Sequence, residues 1–437
     1  MIGHGVLLPP DIAAAVMVMA VGLIGATIAA PFVVWCAASV GLVLGAAILT
    51  KTTLMVLYPV LCIWIPGRWL QGNEGWRRVG WIKEILVMSV AMWFVINSGY
   101  GWEGFGTRLG DFEFISSRLN GNDVRTVQPG NVFEGTMMGF VPVVFPKNLI
   151  LGIDTQYRDF EINFFYPYLL GRWHREGFFT FYFWYFVLKL PIGFLALVGI
   201  GGIAVVFRLI EMRDRSMLVL MTLMGSILFV FLSWRTDLNY CQRYAIVCLP
   251  MLLLYAAAAS LMFQAKFDRV VLWLLIGTTV GIGVWKSTHA LSYYNGLVGG
   301  PEGGRYCLHG NATDWGQDAI RIGGWCASHP ERRPLAVATV GYPTSLKAFG
   351  VEADSLRFEI DLQVSWKEPV RGKKVSPVGW HIVSFVHLLD PRSPYHALLH
   401  QTPTETLGWT HQVFFVDDQQ AARLSGRSET SLPGVFP

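Results

Sequence analysis

Apolar residues along this chain fall in blocks that have no polar face. The blocks cover about 12–30, 32–50, 52–66, 84–99, 190–207, 216–233, 242–262 and 269–285. Runs of roughly 17–20 apolar residues, rising about 1.5 Å per residue as helix, cross a hydrocarbon core of about 30 Å. The pattern therefore predicts a bundle of about eight spans. It changes after residue 285. "RPLAVATVGY", "SLRFEIDLQVSW", "GWHIVSFVHLL" and "HQVFFVDD" are rich in β-branched and aromatic residues with partial alternation, and read as strands. "WGQDAIRIGGWCASH" has apolar residues at helical spacing behind an early acid, and reads as a short helix. The expected fold is an all-α polytopic membrane bundle over 1–285, including an extracytoplasmic loop at 100–189, with a small extracytoplasmic α/β domain at 286–437. There is no internal repeat, and the inverted-repeat signature of many transporters is missing.

Composition agrees. Of 437 residues, 53% are hydrophobic and 15% charged, against about 25% charged in soluble proteins; mean hydropathy is +0.43. The net charge of +4 is small and its basic residues are scattered, which leaves a nucleic-acid partner without support. Cys36, Cys62, Cys241 and Cys248 lie in or beside apolar runs and read as small packing residues. Cys307 and Cys326 lie in the polar tail, where an oxidising compartment would allow them to pair. No Cys/His spacing resembles a metal site. The opening "MIGHGVLLPPD" lacks the basic n-region of a cleavable signal.

Short basic loops orient the spans. One carries Arg68, Arg77, Arg78 and Lys83, the next Arg208, Arg213 and Arg215, and the third Lys266 and Arg269. Placing all three in the cytoplasm puts Asp11, the turn at Lys51, the loop 100–189 and the tail outside. The count closes if "GFFTFYFWYFVLK" (177–189) does not cross, which suits a short aromatic helix lying at the interface.

This topology leaves three cations on the outer side, each at the mouth of an apolar span: Lys51, Lys189 and Arg243. Singly, each reads as a long side chain snorkelling to the headgroups. Together they suit a lipid-borne phosphate. Asp11, after Pro-Pro, reads either as a helix cap or as a carboxylate poised to take an acceptor's proton; nearby His4 reads as an ordinary loop residue. Asp154, Arg158, Asp159 and Glu161 form a cluster that is either surface ion pairs or, with neighbouring Tyr and Trp rings, a sugar-recognition set. Asp314, Gln317 and Asp318 flank Trp315 in "NATDWGQD", which alone reads as a helix start, and Asn311-Ala312-Thr313 is a glycosylation sequon.

Several of these stretches resemble, in collinear order over nearly the whole chain, the family 39 membrane glycosyltransferases. These are protein O-mannosyltransferase-like, GT-C enzymes related to the lipid A aminoarabinose transferase. "LGAAILTKTTLMVLYP", "VLKLPIGFLAL", "LNYCQRYAIVCLPMLLL" and "HALSYYNGLVGGPEGGRYCLHGNATDWGQDAIRIGGW" carry the resemblance. It implies a GT-C bundle in a bacterial inner membrane with an outward-facing active site. Such an enzyme moves a sugar, in some members mannose, from a polyprenyl phosphate to an acceptor that is protein, lipid or glycan. It implies no metal or soluble cofactor. Lys51, Lys189 and Arg243 match basic positions near the lipid phosphate, and Asp11 matches an acid at a helix start after a histidine-containing loop. Asp154, Arg158, Asp159, Asp314, Gln317 and Asp318 are the candidates for sugar and acceptor. Family members begin with further helices, and their best-known catalytic acid lies in the first outer loop, so an upstream part is expected. Two other classes stay open: a transporter, which the near absence of charge inside the spans argues against, and a catalytically inactive, membrane-anchored binding protein.

Overall fold

A computed structural model describes residues 10–26, 33–70, 80–121, 128–162, 167–174, 176–207, 215–234, 239, 242–309, 313–340, 343–358 and 378–426. Helices dominate the first two thirds. The longer ones are α1 (Pro10–Ala26), α2 (Val33–Thr50), α3 (Leu57–Leu70), α4 (Gly80–Gly99), α5 (Lys147–Ile162), α6 (Phe181–Lys189), α7 (Ile192–Val206), α8 (Ser216–Trp234), α9 (Leu249–Ala259) and α10 (Lys266–Trp285). Among the described residues, four apolar helical stretches are long enough to cross a membrane: α4, α8, Arg243–Met262 around α9, and α10. A fifth is added if α6 and α7 count as one span despite the 120° bend between them. The expected eight are thus only partly matched by length. α1 has 17 residues, and α3 has 14 with Pro66 inside it. The aromatic segment 177–189 becomes α6, whose 9 residues are too few to span alone.

The chain divides into two compact units. The first comprises Met1–Phe164, Ala196–Leu238 and Arg243–Leu272. Its helices are apolar on both faces, which is how a helix packs inward while meeting lipid outward. On α1, Ala14, Val18, Val21 and Gly25 are buried, while Ile12, Val16, Met19 and Leu23 are exposed. On α4, Met88, Met92 and Ile96 are buried, while Ile82, Leu86, Val90 and Phe94 are exposed. α2 and α4 pack closely because Gly41 and Gly45 share one face of α2. A Cβ on Gly41 would lie 2.3 Å from the Met88 carbonyl oxygen, and one on Gly45 would lie 2.8 Å from Val95 Cβ. Small residues four apart are the usual device for close approach in lipid.

The second unit comprises Phe165–Leu195, Asn239–Gln242 and Trp273–Pro437. A tight hairpin, β1 (Tyr168–Leu169) and β2 (Arg172–Trp173), is joined to Leu308 by a bridge at Leu169. A five-stranded sheet follows, built from β3 (Leu335–Thr339), β4 (Ser355–Phe358), β5 (Gly379–Ser384), β6 (Glu405–Leu407) and β7 (His411–Val416) in the order β4-β3-β5-β7-β6. β3, β4 and β5 are parallel, whereas β7 runs against β5 and β6 against β7. Alternation decides the two faces. Leu335, Val337, Ile382 and Val413 pack with Ile322 and Trp325 of α11 (Ala319–Ser328). Ala338, Val383 and Phe414 pack on the other side with Leu388 of α12 (Phe385–Leu389) and Leu424 of α13 (Asp418–Gly426).

The strand expected over "GWHIVSFVHLL" stops at Ser384, whose hydroxyl accepts from Val386 N and starts α12. Of "SLRFEIDLQVSW", β4 covers the beginning and the remainder lies outside the described residues, as do His4, Asn311, Ala312, Arg77, Arg78, Arg208 and Arg213. Cys307 and Cys326 are both free thiols. Cys326 is held in the core between α11 and the sheet, while Cys307 Sγ turns toward the Gly303 carbonyl.

Candidate functional site

In the first unit three sequence-distant charges meet. Asp11 is the second residue of α1, behind Pro10, whose fixed φ and missing N–H suit a first helical position. The unpaired N–H groups of that turn carry the positive end of the helix dipole, which favours a carboxylate there. Asp11 is 1% exposed. A buried carboxylate needs partners, and two cations supply them. Lys51 Nζ donates to Asp11 Oδ1, and Arg243 Nε stands 3.7 Å from Oδ2.

Both cations are fixed by local backbone. Lys51 is the single extended residue between α2 and a 3-10 turn at Thr52–Val56, with φ −154° and ψ 115°. Its N–H donates to Ala47 O at 2.9 Å and its carbonyl accepts from Leu54 N at 3.0 Å. The break tips its side chain off the helical run, toward Asp11. Arg243 is the second residue of the 3-10 stretch Gln242–Cys248 that leads into α9. Tyr244 completes the group: Lys51 Nζ lies 4.3 Å and Arg243 Cζ 5.8 Å from its ring centroid. Tyr244 escaped the sequence reading, although its place beside Arg243 was a usable signal. One negative and two positive groups leave the cluster net cationic beside a carboxylate. That arrangement suits an anion with a protic group next to it.

α5 adjoins the same turn, because Thr52 Oγ1 donates to Gln156 Oε1 at 3.3 Å. Asp159, three residues on, shares the Gln156 face of that helix and is exposed. Partial desolvation of its carboxyl pushes the Asp159 pKa up, and the adjacent Arg158 guanidinium partly offsets this. Arg158 Nε is buried without a hydrogen-bond partner among the described residues. Another face of α5 works for the fold. Asp154 is buried and accepts from Ile115 N at 2.7 Å and Ser116 N at 3.2 Å. Glu161, two turns on, accepts from Ser117 N at 2.8 Å and Ser117 Oγ at 2.6 Å. The two carboxylates start the one-turn helix Ser117–Asn120.

The remaining candidates belong to the second unit. Lys189, the last residue of α6, donates to the Leu291 carbonyl at 2.8 Å and sits 3.8 Å from the Tyr294 ring centroid. The "DWGQD" run forms a turn whose acids point into the sheet unit. Asp314 accepts from Gly316 N at 2.8 Å and Ser384 Oγ at 2.5 Å, with His411 Nε2 at 3.7 Å from its Oδ2. Asp318 accepts from Thr410 Oγ1 at 2.6 Å and is paired with Arg321. Gln317 closes the turn, accepting from Trp315 N at 2.6 Å and donating to Ser292 Oγ at 3.0 Å and Thr313 O at 2.9 Å. Burial pushes the Asp314 carboxyl up, although His411, Ser384 and Gly316 all favour its charge. The Asp314–His411 pairing joins residues far apart in sequence, and no motif announces it.

A further titratable group lies nearby. His309 Nε2 is 3.1 Å from the Val386 carbonyl oxygen, and its ring is 4.7 Å from Trp173. Burial lowers its pKa to about 4, against the opposing pull of Asp390. For Asp390 burial pushes the other way, but the Arg392 fork, at 2.5–3.1 Å, outweighs it and holds the carboxyl below its ordinary range. Among the described residues no group of three or more His, Cys, Asp or Glu side chains is placed to hold a metal ion. The chain matches no protein-family model, no curated protein and no solved structure.

Proposed function

We propose that this membrane protein is a glycosyltransferase that moves a sugar from a polyprenyl-phosphate donor to an acceptor hydroxyl on the outer face of a bacterial inner membrane. The observation that supports it most is the meeting of Asp11, Lys51 and Arg243, three residues singled out from separate segments. In the proposed reaction the acceptor oxygen bonds to the sugar C1 as the C1–O bond to phosphate breaks. Asp11 takes the hydroxyl proton, and the phosphate leaves with the bonding electron pair toward Lys51 and Arg243. Lys189 belongs to the second unit and is a separate proposal for phosphate binding, apart from this cluster. Asp11 is already bonded, so it takes a proton only when Lys51 turns from it; an arriving phosphate gives Lys51 the alternative partner. On the sugar side, Arg158 and Asp159 are proposed first. Asp154, Asp314, Gln317 and Asp318 spend their polar atoms on internal partners.

The test is release of labelled sugar from a polyprenyl-phosphate donor in membranes carrying the chain. Release above membranes without it supports the reading. Absence of release, with uptake of a solute into liposomes, would favour a transporter.

A further inference from the structure

Residues 100–121 and 128–146, in the first unit, form a folded loop that keeps apolar side chains on its outside. The loop is not slack. Gly106 N donates to Val143 O at 3.0 Å, Val143 N to Thr107 O at 2.9 Å and Leu109 N to Val141 O at 3.0 Å, zipping its two arms together. Asn131 Nδ2 donates to both Leu109 O and Phe112 O, and Thr136 caps the 3-10 turn Met137–Phe140. On this frame Met137 is 91% exposed and Phe140 67%, with Met138, Val141, Val144 and Phe105 also exposed. Removing such side chains from water is favourable, and a contiguous apolar patch on a rigid frame marks a contact surface.

The surroundings say what covers it. α4 presents Ile82, Leu86, Val90 and Phe94 outward at four-residue spacing, the lipid-facing stripe of a helix long and apolar enough to cross a membrane. That stripe ends in a ring cluster. Trp102 lies 6.1 Å from Phe94 and 5.3 Å from Trp93, and Trp93 lies 5.9 Å from Phe105. Trp93 Nε1 donates to Val144 O at 2.8 Å, which fixes the patch against the C-terminal end of α4. Aromatic rings gather at the headgroup level of a bilayer. The Arg108 guanidinium, 6.0 Å from the Phe140 ring centroid, suits the phosphates found at that depth. We infer that the loop face around Met137–Val144 is seated in the headgroup and upper acyl region of the bilayer, in the leaflet that holds the C-terminal end of α4. Its occupant is lipid. The inference does not depend on the proposed transferase activity.

The experiment places an environment-sensitive fluorophore on Met137→Cys or Phe140→Cys, in the full chain with its native cysteines replaced, in phosphatidylcholine/phosphatidylglycerol nanodiscs holding one chain each. Asp418→Cys, an exposed residue of α13, is the control. The expected result is a blue-shifted probe at both loop positions. A nitroxide near the top of the acyl chain should quench it more than one near the chain end, and iodide should quench it several-fold less than the control. The unsubstituted chain provides a second readout, since Met137 should oxidise several-fold more slowly with an aqueous oxidant in nanodiscs than in an unfolded control. Iodide quenching equal to the control, without lipid quenching, would overturn the inference. So would shielding that appears only when two chains share a disc, because a second copy would then be the cover.

Discussion

Lys51→Met is the sharpest test of how the Asp11 site is held. The side chains of Asp11 and Lys51 are 2% and 12% exposed, so their ion pair is a buried one. Removing one member of such a pair leaves the other charge uncompensated, at about 3–5 kcal/mol. Arg243, 3.7 Å away and with its side chain 36% exposed, softens this and places Lys51→Met toward the lower end of that range. Replacing both members by apolar residues removes the stranded charge, and such swaps are often neutral or stabilising. The double variant Asp11→Leu/Lys51→Met should therefore lose less than either single variant, with a coupling energy of about 2 kcal/mol or more. Unfolding by SDS titration in mixed micelles, followed by tryptophan fluorescence, measures all four corners of the cycle. Single effects that add to within about 0.5 kcal/mol would refute the reasoning, because independent sites behave that way.

In the sheet unit, His309 has a pKa of about 4, below the ordinary value of 6.5. The unfolded chain thus gains a proton first as pH falls, so this stability is present above about pH 6.5 and is lost toward pH 4. The loss by pH 5 is about 2 kcal/mol; melting of wild type should fall over this range, and a His309→Gln variant should show a flatter slope, while an identical slope would exclude His309. Gly408 has φ +61°, and a Cβ there would lie 2.5 Å from Asp318 Oδ2, so Gly408→Ala should destabilise the sheet by about 1–3 kcal/mol in the same melt, whereas an unchanged melt would contradict the packing. For topology, cysteines introduced at Glu113 and Asp418 should react with an impermeant reagent in intact cells, and one at Gln71 should not; the reverse pattern would invert the orientation.

How much was legible in advance varies with the physics of each element. Lys51 stood out because one charge interrupts a long apolar run, and that interruption is a turn: an extended residue between α2 and a 3-10 helix. Its partner was not legible, because nothing in sequence spacing links it to Asp11 across two helices. Strands β3, β5 and β7 were readable from β-branched alternation, but the end of β5 depended on one hydroxyl, Ser384, capping the next turn. The acids of α5 read as surface ion pairs or sugar ligands, and those of "DWGQD" as a helix start. Burial assigns Asp154, Asp314 and Asp318 internal hydrogen bonds instead, and burial is a property of the packed chain. Gly41 and Gly45, which set the α2–α4 contact, escaped the sequence reading, although small residues at four-residue spacing in an apolar run were a usable signal. The count of spans was less legible, since hydropathy does not register where a helix ends: α1 has 17 residues and α3 has 14, whereas the break expected after residue 189 is found at Leu190–Pro191.

Asp11 is the proposed base beside a cationic phosphate site. The measurement that tests it most directly is single-turnover release of labelled sugar from a polyprenyl-phosphate donor in nanodiscs, by wild type and by Asp11→Asn. Donor binding is measured on the same samples. The account predicts that Asp11→Asn binds donor about as well as wild type, while release falls by about 10²–10⁴-fold, the usual contribution of a general base. Release by a folded Asp11→Asn chain at the wild-type rate would contradict it.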